Sequence, residues 1–506
     1  MQILKAQEMQ AVDQRAIAGI GIPSLVLMER AALGVVTAIG REFGRGQRVL
    51  VVAGKGNNGG DGLAIVRQLY LLGYQVDYVL PLGEDLKGDA QIQYQILRNL
   101  GLFPLTSVDT KGYDLLVDAL FGTGFTPPPR GAGQAWIERM QGAGIPIVSV
   151  DIPSGLVADS GREVVPAVSA RVTVTLQFPK LCHLLHPAAK QCGKLYVADI
   201  GIPPALAKDI QRQVLLSVNL PPRAVDVHKG KMGHVLLVGG SVGKTGAVMM
   251  AAKASTRAGA GLVTVGVPRG LNQIVETVLL EEMSVPLAGE ERLAAEASGE
   301  ILARQDKFTA VAAGMGMDRY PEGQRIVEEL MRQIAVPLVL DADALNNLAD
   351  AGVDLLRERP GVTVLTPHVG ECHRLTGLPP GEINENLTDV AQQFAQQWGC
   401  YIVLKSSRTA IATPQGQVYL STRGTAAMAK GGMGDVLAGI LAALLGKGLA
   451  PLEALQIGVF VHGLAGEIAA AEKHTESLRP LDVIETLPQA FQRMATGEFT
   501  PPFIYL

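Results

Sequence analysis

The sequence predicts an α/β protein of two domains. Apolar strand-like runs alternate with helical patterns on both sides of an irregular, proline-containing segment from Gln211 to Pro222. Continuous Val, Ile and Leu runs are typical of parallel strands that are covered on both faces. A chain of 506 residues that is 48% hydrophobic also exceeds what a single core usually supports. We therefore predict one three-layer domain at residues 1–213 and a second α/β domain at residues 222–506.

The predicted strands follow one another at the spacing of strand–helix–strand units. In the first half they read RVLVVAG, QVDYVLP, DLLVDALFG, IPIVSVDIPSG and ARVTVTLQF, with a helix over Leu63–Leu72 after the first of them. In the second half they read HVLLVGG, GLVTVGVP, FTAVAAGMG, VPLVLDADALN, GVTVLTP, CYIVLKSS and TAIATP, and long Ala/Leu-rich helices follow.

Composition restricts the partners of the protein. The net charge is −4 and no basic run occurs, which argues against nucleic acid and anionic membranes as partners. No signal peptide is recognisable, and the apolar helix expected at Val436–Gly446 is too short to span a bilayer, so we expect a soluble cytoplasmic protein. The four cysteines predict no disulfide framework. Cys182, His183, His186 and Cys192 lie close in sequence, but they lack a Cys-x-x-Cys pair, and packing explains them equally well.

A glycine-rich turn follows the first strand. It contains Gly54-x-Gly56-x-x-Gly59, which matches a dinucleotide-binding fingerprint. However, Asp61 is expected at the helix start where a pyrophosphate would lie, and the next strand does not end in the acidic residue that binds a ribose. A plain dehydrogenase is therefore disfavoured. The glycines still let a ligand approach the backbone, beside the polar groups of Asn57, Asn58 and Asp61.

Polar residues also follow other strands of the first half. Asp118 and Ser154 stand at or just after the ends of two predicted strands, and Asn58 follows the first strand. The carboxyl ends of parallel strands line one crevice, so these three side chains are expected to converge. Their oxygens are hard ligands, which suit an alkali or alkaline-earth cation.

In the second half, the segment GGMGDVLAG at Gly431–Gly439 places Asp435 behind three glycines at the start of a helix. Phosphate binds at such helix starts, and a carboxylate there is placed to take a proton from a hydroxyl. This is the chemistry of a small-molecule kinase. His368 and Glu371 at another strand end are expected to contact the ligand.

Two basic segments are less specific. GGSVGKT at Gly239–Thr245 is not a Walker A loop, because Val238 occupies the position where that loop has its first glycine. His228, Lys229 and Lys231 form either a phosphate patch or a solvated turn, and the sequence leaves both interpretations open.

Several motifs together resemble one known family. LMERAALG, GNNGGDG, VDALFGTG and DIPSGLVADSG are similar to the N-terminal YjeF domain, an NAD(P)H-hydrate epimerase. HKGKMGHVLLVGGS, DADALN, TPHVGE, KSSRTAI and GGMGDVLAG are similar to the C-terminal YjeF domain, an NAD(P)H-hydrate dehydratase of the ribokinase-like superfamily. Their order is that of bifunctional hydrate-repair enzymes. The resemblance implies a Rossmann-like three-layer domain followed by a ribokinase-like domain.

The resemblance also implies site residues. In the epimerase it assigns hydrate binding to Asn57, Asn58, Gly59, Gly60, Asp61, Gly122, Thr123, Gly124, Phe125, Thr126, Pro127, Pro128 and Asp151. It assigns a potassium ion to Asn58, Asp118 and Ser154. In the dehydratase it assigns the hydrate to Ala247, Gly316, His368 and Asp435, and the nucleotide to Lys405, Ser406, Ser407, Arg408, Thr409 and Gly434.

The implied chemistry is the repair of hydrated NADH and NADPH, in which water has added across a ring double bond. Asp151 is expected to act as an acid that helps the hydroxyl leave and return on the other face, which interconverts the R and S epimers. Asp435 is expected to act as the base for phosphorylation of the S epimer, with Mg²⁺ and ADP as the donor, after which phosphate leaves and the double bond re-forms. AMP and phosphate are the other products. We expect a homo-oligomer.

Two alternatives remain open at this stage. The same motifs permit a vitamin or sugar kinase fused to a regulatory Rossmann-like domain, which would make a stable phosphorylated product. The first domain could also be a binding module without catalysis, although its intact Asn58, Asp118, Asp151 and Ser154 argue against this. The residues do not decide between ADP and ATP, or between the NADH and NADPH hydrates.

Overall fold

A computed structural model describes residues 1–126, 128–359 and 361–506. The chain forms two compact units. The first consists of Met1–Gln213 together with the last six residues, Pro501–Leu506, and the second is Val214–Thr500.

The first unit is built on a seven-stranded parallel sheet. Its first six strands in chain order are β1 (Arg48–Ala53), β2 (Gln75–Val79), β3 (Leu115–Ala119), β4 (Ile147–Val150), β5 (Val172–Leu176) and β6 (Lys194–Ala198). The strand order is C-terminal strand, β6, β5, β4, β3, β1, β2. Strands β1 to β5 confirm the five strands predicted from the sequence, whereas β6 was missed.

Helices cover both faces of this sheet. They are α1 (Ala6–Gln14), α2 (Ser24–Phe43), α3 (Asn57–Leu71), α4 (Gly88–Asn99), α5 (Gly131–Gly142) and the short α6 (Leu181–Leu184). Alternate residues of β1 enter different cores: Val49 and Val51 pack with α2, α3 and α4, whereas Leu50 and Val52 pack with α5. This alternation is what a sheet buried on both faces requires, and it confirms the three-layer α/β prediction.

Helix α3 begins earlier than the sequence indicated. It starts at Asn57 rather than Leu63, so the asparagines and Asp61 belong to its first two turns. The glycines around it are needed for close packing. A Cβ on Gly59 would lie 2.0 Å from the carbonyl oxygen of Gly54, and one on Gly54 would lie 2.0 Å from that of Leu120. The glycine motif therefore brings α3 against the strand ends.

The second unit contains a larger, mixed sheet. After β7 (Arg212–Val214), its strands are β8 (His234–Gly239), β9 (Leu262–Pro268), β10 (Met283–Leu287), β11 (Ala310–Met315), β12 (Leu338–Leu340), β13 (Thr363–Leu365), β14 (Tyr401–Lys405), β15 (Thr409–Ala412) and β16 (Val418–Ser421). The strand order is β10, β9, β8, β11, β12, β13, β14, β15, β16, β7. Pairing is parallel from β10 to β14 and antiparallel from β14 to β16. All seven predicted strands are confirmed, whereas β10, β16 and β7, which lies in the segment predicted to be irregular, were missed.

The helices of the second unit surround this sheet. They are α7 (Thr245–Arg257), α8 (Asn272–Glu276), α9 (Ala297–Leu302), α10 (Pro321–Gln333), α11 (Asp343–Ala351), α12 (Leu355–Glu358), α13 (Val369–Thr376), α14 (Pro380–Glu385), α15 (Leu387–Trp398), α16 (Met433–Gly446), α17 (Pro451–Glu472) and α18 (Pro480–Thr496). Helix α17 is long and apolar enough to cross a membrane, a feature that the sequence analysis overlooked. However, 72% of its apolar window is buried inside the protein, as in a core helix.

The predicted second domain, 222–506, included the C-terminal residues. In the structure the last six residues, Pro501–Leu506, belong to the first unit instead. Strand β17 (Ile504–Tyr505) pairs in parallel with β6 and completes the first sheet. The Phe503 side chain is 2% exposed, and the backbone N–H of Leu506 donates to the carbonyl of Val197. The two-residue strand is too short to give a periodic signal, which explains why it was missed. The assignment of the epimerase to residues 1–213 and of the dehydratase to residues 222–506 stays a prediction.

We expect Phe503→Ala to loosen the edge of the first sheet, because deletion of a buried phenyl ring costs about 3–5 kcal/mol. The measurement is hydrogen exchange of the backbone amides of β6, which should become faster. Tyr505→Ala, at a side chain that is half exposed, is the control and should change exchange much less. Equal exchange in both variants and the parent would show that the last six residues do not support this strand.

Candidate functional site

The first unit contains a cavity of about 770 Å³ at the carboxyl ends of its strands. Most of the predicted epimerase residues line it: Asn57, Asn58, Asp61, Gly122, Thr123, Gly124, Phe125, Thr126 and Asp151. Gly59 and Gly60 are buried behind this surface, where they allow close packing, and Pro128 is exposed outside it. Pro127 lies outside the described residues. A cavity of this size is in the range of small-molecule sites.

Asp151 follows β4 in a left-handed conformation, with φ of 60°. Its Oδ1 accepts hydrogen bonds from Lys180 Nζ at 2.6 Å, Thr175 Oγ1 at 3.1 Å and the backbone N–H of Leu176 at 3.1 Å. Burial alone would raise the pKa of Asp151, but the Lys180 charge and these donors hold it below its ordinary value. Oδ2 has no hydrogen-bond partner in the described part of the chain, so it is available to a ligand.

His183 and the nearby cysteines have a structural explanation. His183 Nδ1 accepts from the backbone N–H of Lys180, so Nε2 carries the proton and donates to the carbonyl of Asp151 at 2.8 Å. Burial, followed by the Lys180 charge, lowers the pKa of His183 to about 3. Cys182 and Cys192 are buried in an apolar cluster. Both ring nitrogens of His183 are therefore hydrogen-bonded to the backbone, one to Lys180 and one to Asp151.

The three residues assigned to potassium do converge. Asp118 Oδ1 accepts from Ser154 Oγ at 2.5 Å, and the Asn58 amide and Ser154 Oγ both contact the backbone of Phe121. Burial raises the pKa of Asp118, while Ser154, Ser149 and backbone N–H groups oppose the rise. No cation among the described residues balances this buried carboxylate. The surrounding carboxylate, hydroxyl and carbonyl oxygens are those that an alkali cation takes, so the site fits one.

Two acidic residues and one lysine extend this site beyond the sequence assignment. Asp13, on α1, and Lys180 line the same cavity as Asp61, and Asp89 does so from α4. Burial raises the pKa of Asp13 to about 6, and it raises the pKa of Asp61 well above its usual range, with the Asp151 and Asp13 charges adding to the effect. Sequence gave no signal for Lys180, because a lysine after a proline normally indicates a solvated turn.

In the second unit, Asp435 lies in the first turn of α16, as the sequence predicted. Gly432 precedes the helix with φ of 97°, a conformation that favours glycine. A Cβ on Gly434 would lie 3.1 Å from Lys405 Nζ and 3.6 Å from Asp341 Oδ2, so this turn approaches the ends of β14 and β12. Burial, followed by the Asp341 charge, raises the pKa of Asp435 to about 7. A carboxyl that titrates near neutrality suits a general base.

Lys405 lies next to Asp341 and the start of α16, close to Asp435. Its Nζ donates to Asp341 Oδ1 at 2.7 Å, and Thr366 Oγ1 donates to the same oxygen at 2.6 Å. Burial alone would lower the pKa of Lys405, but the Asp341, Glu371 and Asp435 charges raise it. Lys405 therefore stays cationic beside the start of α16. Asp341, which belongs to the DADALN motif, was not assigned a role from the sequence.

His368 lies beside Lys405, since the two residues pair in a short parallel bridge. It caps α13: Nδ1 accepts from the backbone N–H of Gly370 at 2.9 Å. The proton is therefore on Nε2, which lies 3.2 Å from Glu371 Oε1. Burial, followed by the Lys405 charge, lowers the pKa of His368, whereas burial raises the pKa of Glu371 to about 7. The imidazole is neutral and remains half exposed for a ligand.

Ala247 and Gly316, which the resemblance assigns to the hydrate, lie next to each other. A Cβ on Gly316 would lie 3.2 Å from the Cβ of Ala247, so the two residues are neighbours, and φ of 68° at Gly316 favours glycine. Lys244 Nζ lies 3.4 Å from carboxylate oxygens of both Asp318 and Asp343. The Asp343 charge also raises the pKa of Asp435.

Of the remaining predicted nucleotide residues, Ser406, Ser407 and Arg408 lie on the turn from β14 to β15, and Thr409 is the first residue of β15. Ser406 and Ser407 are exposed, and Ser406 Oγ donates to Asn384 Oδ1 at 2.7 Å. Arg408 is less available, because Nη1 donates to the carbonyl of Thr422, and burial lowers its pKa. In the His228–Lys231 segment, Lys231 forms an exposed ion pair with Asp226, as in a solvated turn.

Comparison with known proteins assigns both units to characterised domains. Residues 235–489 match the model of the NAD(P)H-hydrate dehydratase family, and residues 24–182 match that of the YjeF-related protein N-terminus. The chain is 40% identical to the bifunctional NAD(P)H-hydrate repair enzyme Nnr of Moorella thermoacetica, across 98% of this chain and 97% of that protein. It is 32% identical to Nnr of Escherichia coli, across 98% and 94% of the two chains.

The chain belongs to the family of bifunctional NAD(P)H-hydrate repair enzymes. The resemblance found in the sequence is confirmed, as is a bifunctional enzyme with an epimerase and a dehydratase domain. Among solved structures, the ADP/ATP-dependent NAD(P)H-hydrate dehydratase of Bacillus subtilis, co-crystallised with ATP and Mg²⁺, is 28% identical, with a TM-score of 0.48. It aligns over 55% of this chain and 99% of its own.

Proposed function

We propose that the first unit interconverts the R and S epimers of hydrated NADH and NADPH. The second unit dehydrates the S epimer with ADP as phosphoryl donor and releases AMP and phosphate. The observation that supports this most strongly is the grouping of Asp435, Lys405 and His368 at the start of α16 in a chain of this family. The cavity around Asp151 in the first unit supports the epimerase half.

Asp435 is the base of the dehydratase in this proposal. It takes the proton from the hydrate hydroxyl while that oxygen attacks the terminal phosphorus of the donor and the bond to AMP breaks. Lys405 and the N-terminus of α16 stabilise the charge on the phosphoryl oxygens. Phosphate then leaves with the C–O electron pair, assisted by the ring nitrogen lone pair, and loss of a neighbouring ring proton restores the double bond. A neutral His368 positions the ring beside Lys405.

A magnesium ion fits beside this base. Asp341 and Asp435 are carboxylates whose charges repel each other, and Asp341 Oδ2 has no hydrogen-bond partner among the described residues. Asp341 Oδ2 would hold Mg²⁺ beside the base, and the ion would offset the negative charge of the phosphates. The Bacillus subtilis relative was crystallised with ATP and Mg²⁺, so both ATP and ADP belong in any assay of this chain.

Potassium at Asn58, Asp118 and Ser154 and the cytoplasmic location complete the proposal. The cation would balance the buried Asp118 charge and hold the Phe121 loop at the edge of the cavity.

The buried packing of α17 and the four free, buried cysteines among the described residues support a soluble protein in a reducing compartment. The homo-oligomer stays a prediction.

For the dehydratase, we expect Asp435→Asn to lower the rate by about 10²–10⁴-fold, because a positioned general base is lost while the side-chain shape is kept. The measurement is the return of dihydronicotinamide absorbance from the S hydrate with Mg²⁺ and either ADP or ATP. Asp306→Asn, at an exposed position of the same unit, is the matched control. Near-parent turnover in Asp435→Asn would remove the base from the mechanism, and a stable phosphorylated product in the parent would favour a kinase.

For the cation, we expect epimerisation to require potassium and Ser154→Ala to need a higher potassium concentration, because one ligand oxygen is lost. The rate of epimerisation is measured against potassium concentration at constant ionic strength. Ser160→Ala is the control and should follow the parent curve. A parent epimerase that is indifferent to potassium would exclude the site.

A further inference from the structure

The cavity of the first unit concentrates more acid than its assigned roles use. Asp13, Asp61, Asp89 and Asp151 all line it, together with two lysines, the exposed Lys55 and the buried Lys180. Lys180 is fully buried, and its Nζ contacts Asp151 Oδ1 at 2.6 Å, Thr175 Oγ1 at 3.1 Å and the Leu176 carbonyl at 3.2 Å. Lys180 forms its ion pair with Asp151, so the four acids do not share the buried positive charge equally.

Asp61 is the acid for which the structure provides least compensation. Its side chain is 6% exposed in the second turn of α3. Within residues 1–126, 128–359 and 361–506, its carboxyl has neither a hydrogen bond nor an ion pair. Burial, and then the charges of Asp151, Asp13 and Asp89, raise its pKa well above the ordinary range. Asp61 is therefore a buried carboxyl at the cavity whose surroundings favour its protonated form.

Asp151 has the opposite character. Its Oδ1 is fixed by three donors, while Oδ2 lies free at the cavity. A carboxylate held ionised by a buried lysine is a poor proton donor and a good acceptor. The acid role that we expected for Asp151 from the sequence therefore suits Asp61 better. Two carboxyl groups with separated protonation states in one pocket are a common acid–base arrangement.

We propose that Asp61 is the general acid of the epimerase and that Asp151 is the carboxylate that accepts a proton from the returning water. This inference rests on the proposed function of the first unit. Asp61 donates its proton to the hydroxyl on the carbon next to the ring nitrogen. The C–O bond breaks, its electron pair leaves with the oxygen as water, and the nitrogen lone pair forms a C=N bond.

Water then adds to the opposite face of the same carbon. The new C–O bond forms, the C=N electron pair returns to nitrogen, and the added water gives its proton to Asp151 Oδ2. Asp61 is now ionised and Asp151 protonated. Transfer of one proton from Asp151 back to Asp61 restores the site. In this proposal Asp13, which lines the same cavity as both groups, carries it.

The test starts from a single purified epimer of NADH hydrate and follows the other epimer by chromatography, with the uncatalysed rate subtracted. Asp61→Asn keeps the shape of the side chain and should slow epimerisation by about 10²–10⁴-fold. Asp85→Asn, at an exposed position of the same unit, is the control and should match the parent. Dehydration of the S epimer, measured in each variant, should be unchanged.

The pH profile separates a chemical role from a structural one. Activity that needs a protonated Asp61 must fall as the pH rises through the pKa of that group, so kcat/KM of the parent epimerase should have an alkaline limb. That limb should be absent from the residual activity of Asp61→Asn. Hydrogen exchange of α3 reports whether the variant retains its fold. If the variant unfolds, the parent profile alone decides, since a parent without an alkaline limb overturns the proposal.

The outcomes distinguish this inference from the function on which it rests. A parent that does not interconvert the epimers contradicts the proposed function. A parent that does, together with a folded Asp61→Asn variant of near-parent rate, overturns only the assignment of Asp61.

Discussion

The structure depends on a lysine that is withdrawn from solvent against an aspartate at the carboxyl edge of a parallel sheet. Among the described residues each unit has such a pair: Lys180 Nζ lies 2.6 Å from Asp151, and Lys405 Nζ lies 2.7 Å from Asp341. Removing a charge from water costs several kcal/mol, so neither ammonium could remain buried without its partner. The sequence around each pair is therefore constrained to deliver both groups to the same strand ends.

Each pair sets the protonation of the acids around it. In the first unit, Lys180 stabilises the ionised form of Asp151, while burial and the neighbouring carboxylates raise the pKa of Asp61 and favour its protonated form. In the second unit, the Lys405 charge acts on Asp341, Glu371 and Asp435. Burial raises the pKa of Glu371 and that of Asp435 to about 7, and the Lys405 charge offsets this rise only in part. Similar carboxyl groups therefore acquire different chemical roles from one nearby charge.

Much of this could be predicted from sequence because it depends on local patterns. Continuous apolar runs located twelve strands, and glycine-flanked Asp435 marked the helix start that the structure confirms. The start of α3 could not be located from the sequence, because glycines usually indicate a turn rather than a helix. Here they lie inside the first turns of the helix and allow its backbone to contact the preceding loop, as at Gly59. Lys180 and Asp13 were missed because burial of a charged side chain is a tertiary property that leaves no periodic signal. Strand β17 was missed because two residues form a strand only when β6 is already in place.

The central claim is most directly tested by a double-mutant cycle between Lys180 and Asp151. The measurement is the free energy of unfolding of the first unit, from hydrogen exchange of β4 and β5, in Lys180→Met, Asp151→Asn and the double variant. Each single change leaves one uncompensated buried charge, so each should cost about 3–5 kcal/mol. The account predicts that the double variant costs no more than the larger single change. Costs that simply add would show that the two groups act independently, and would contradict it.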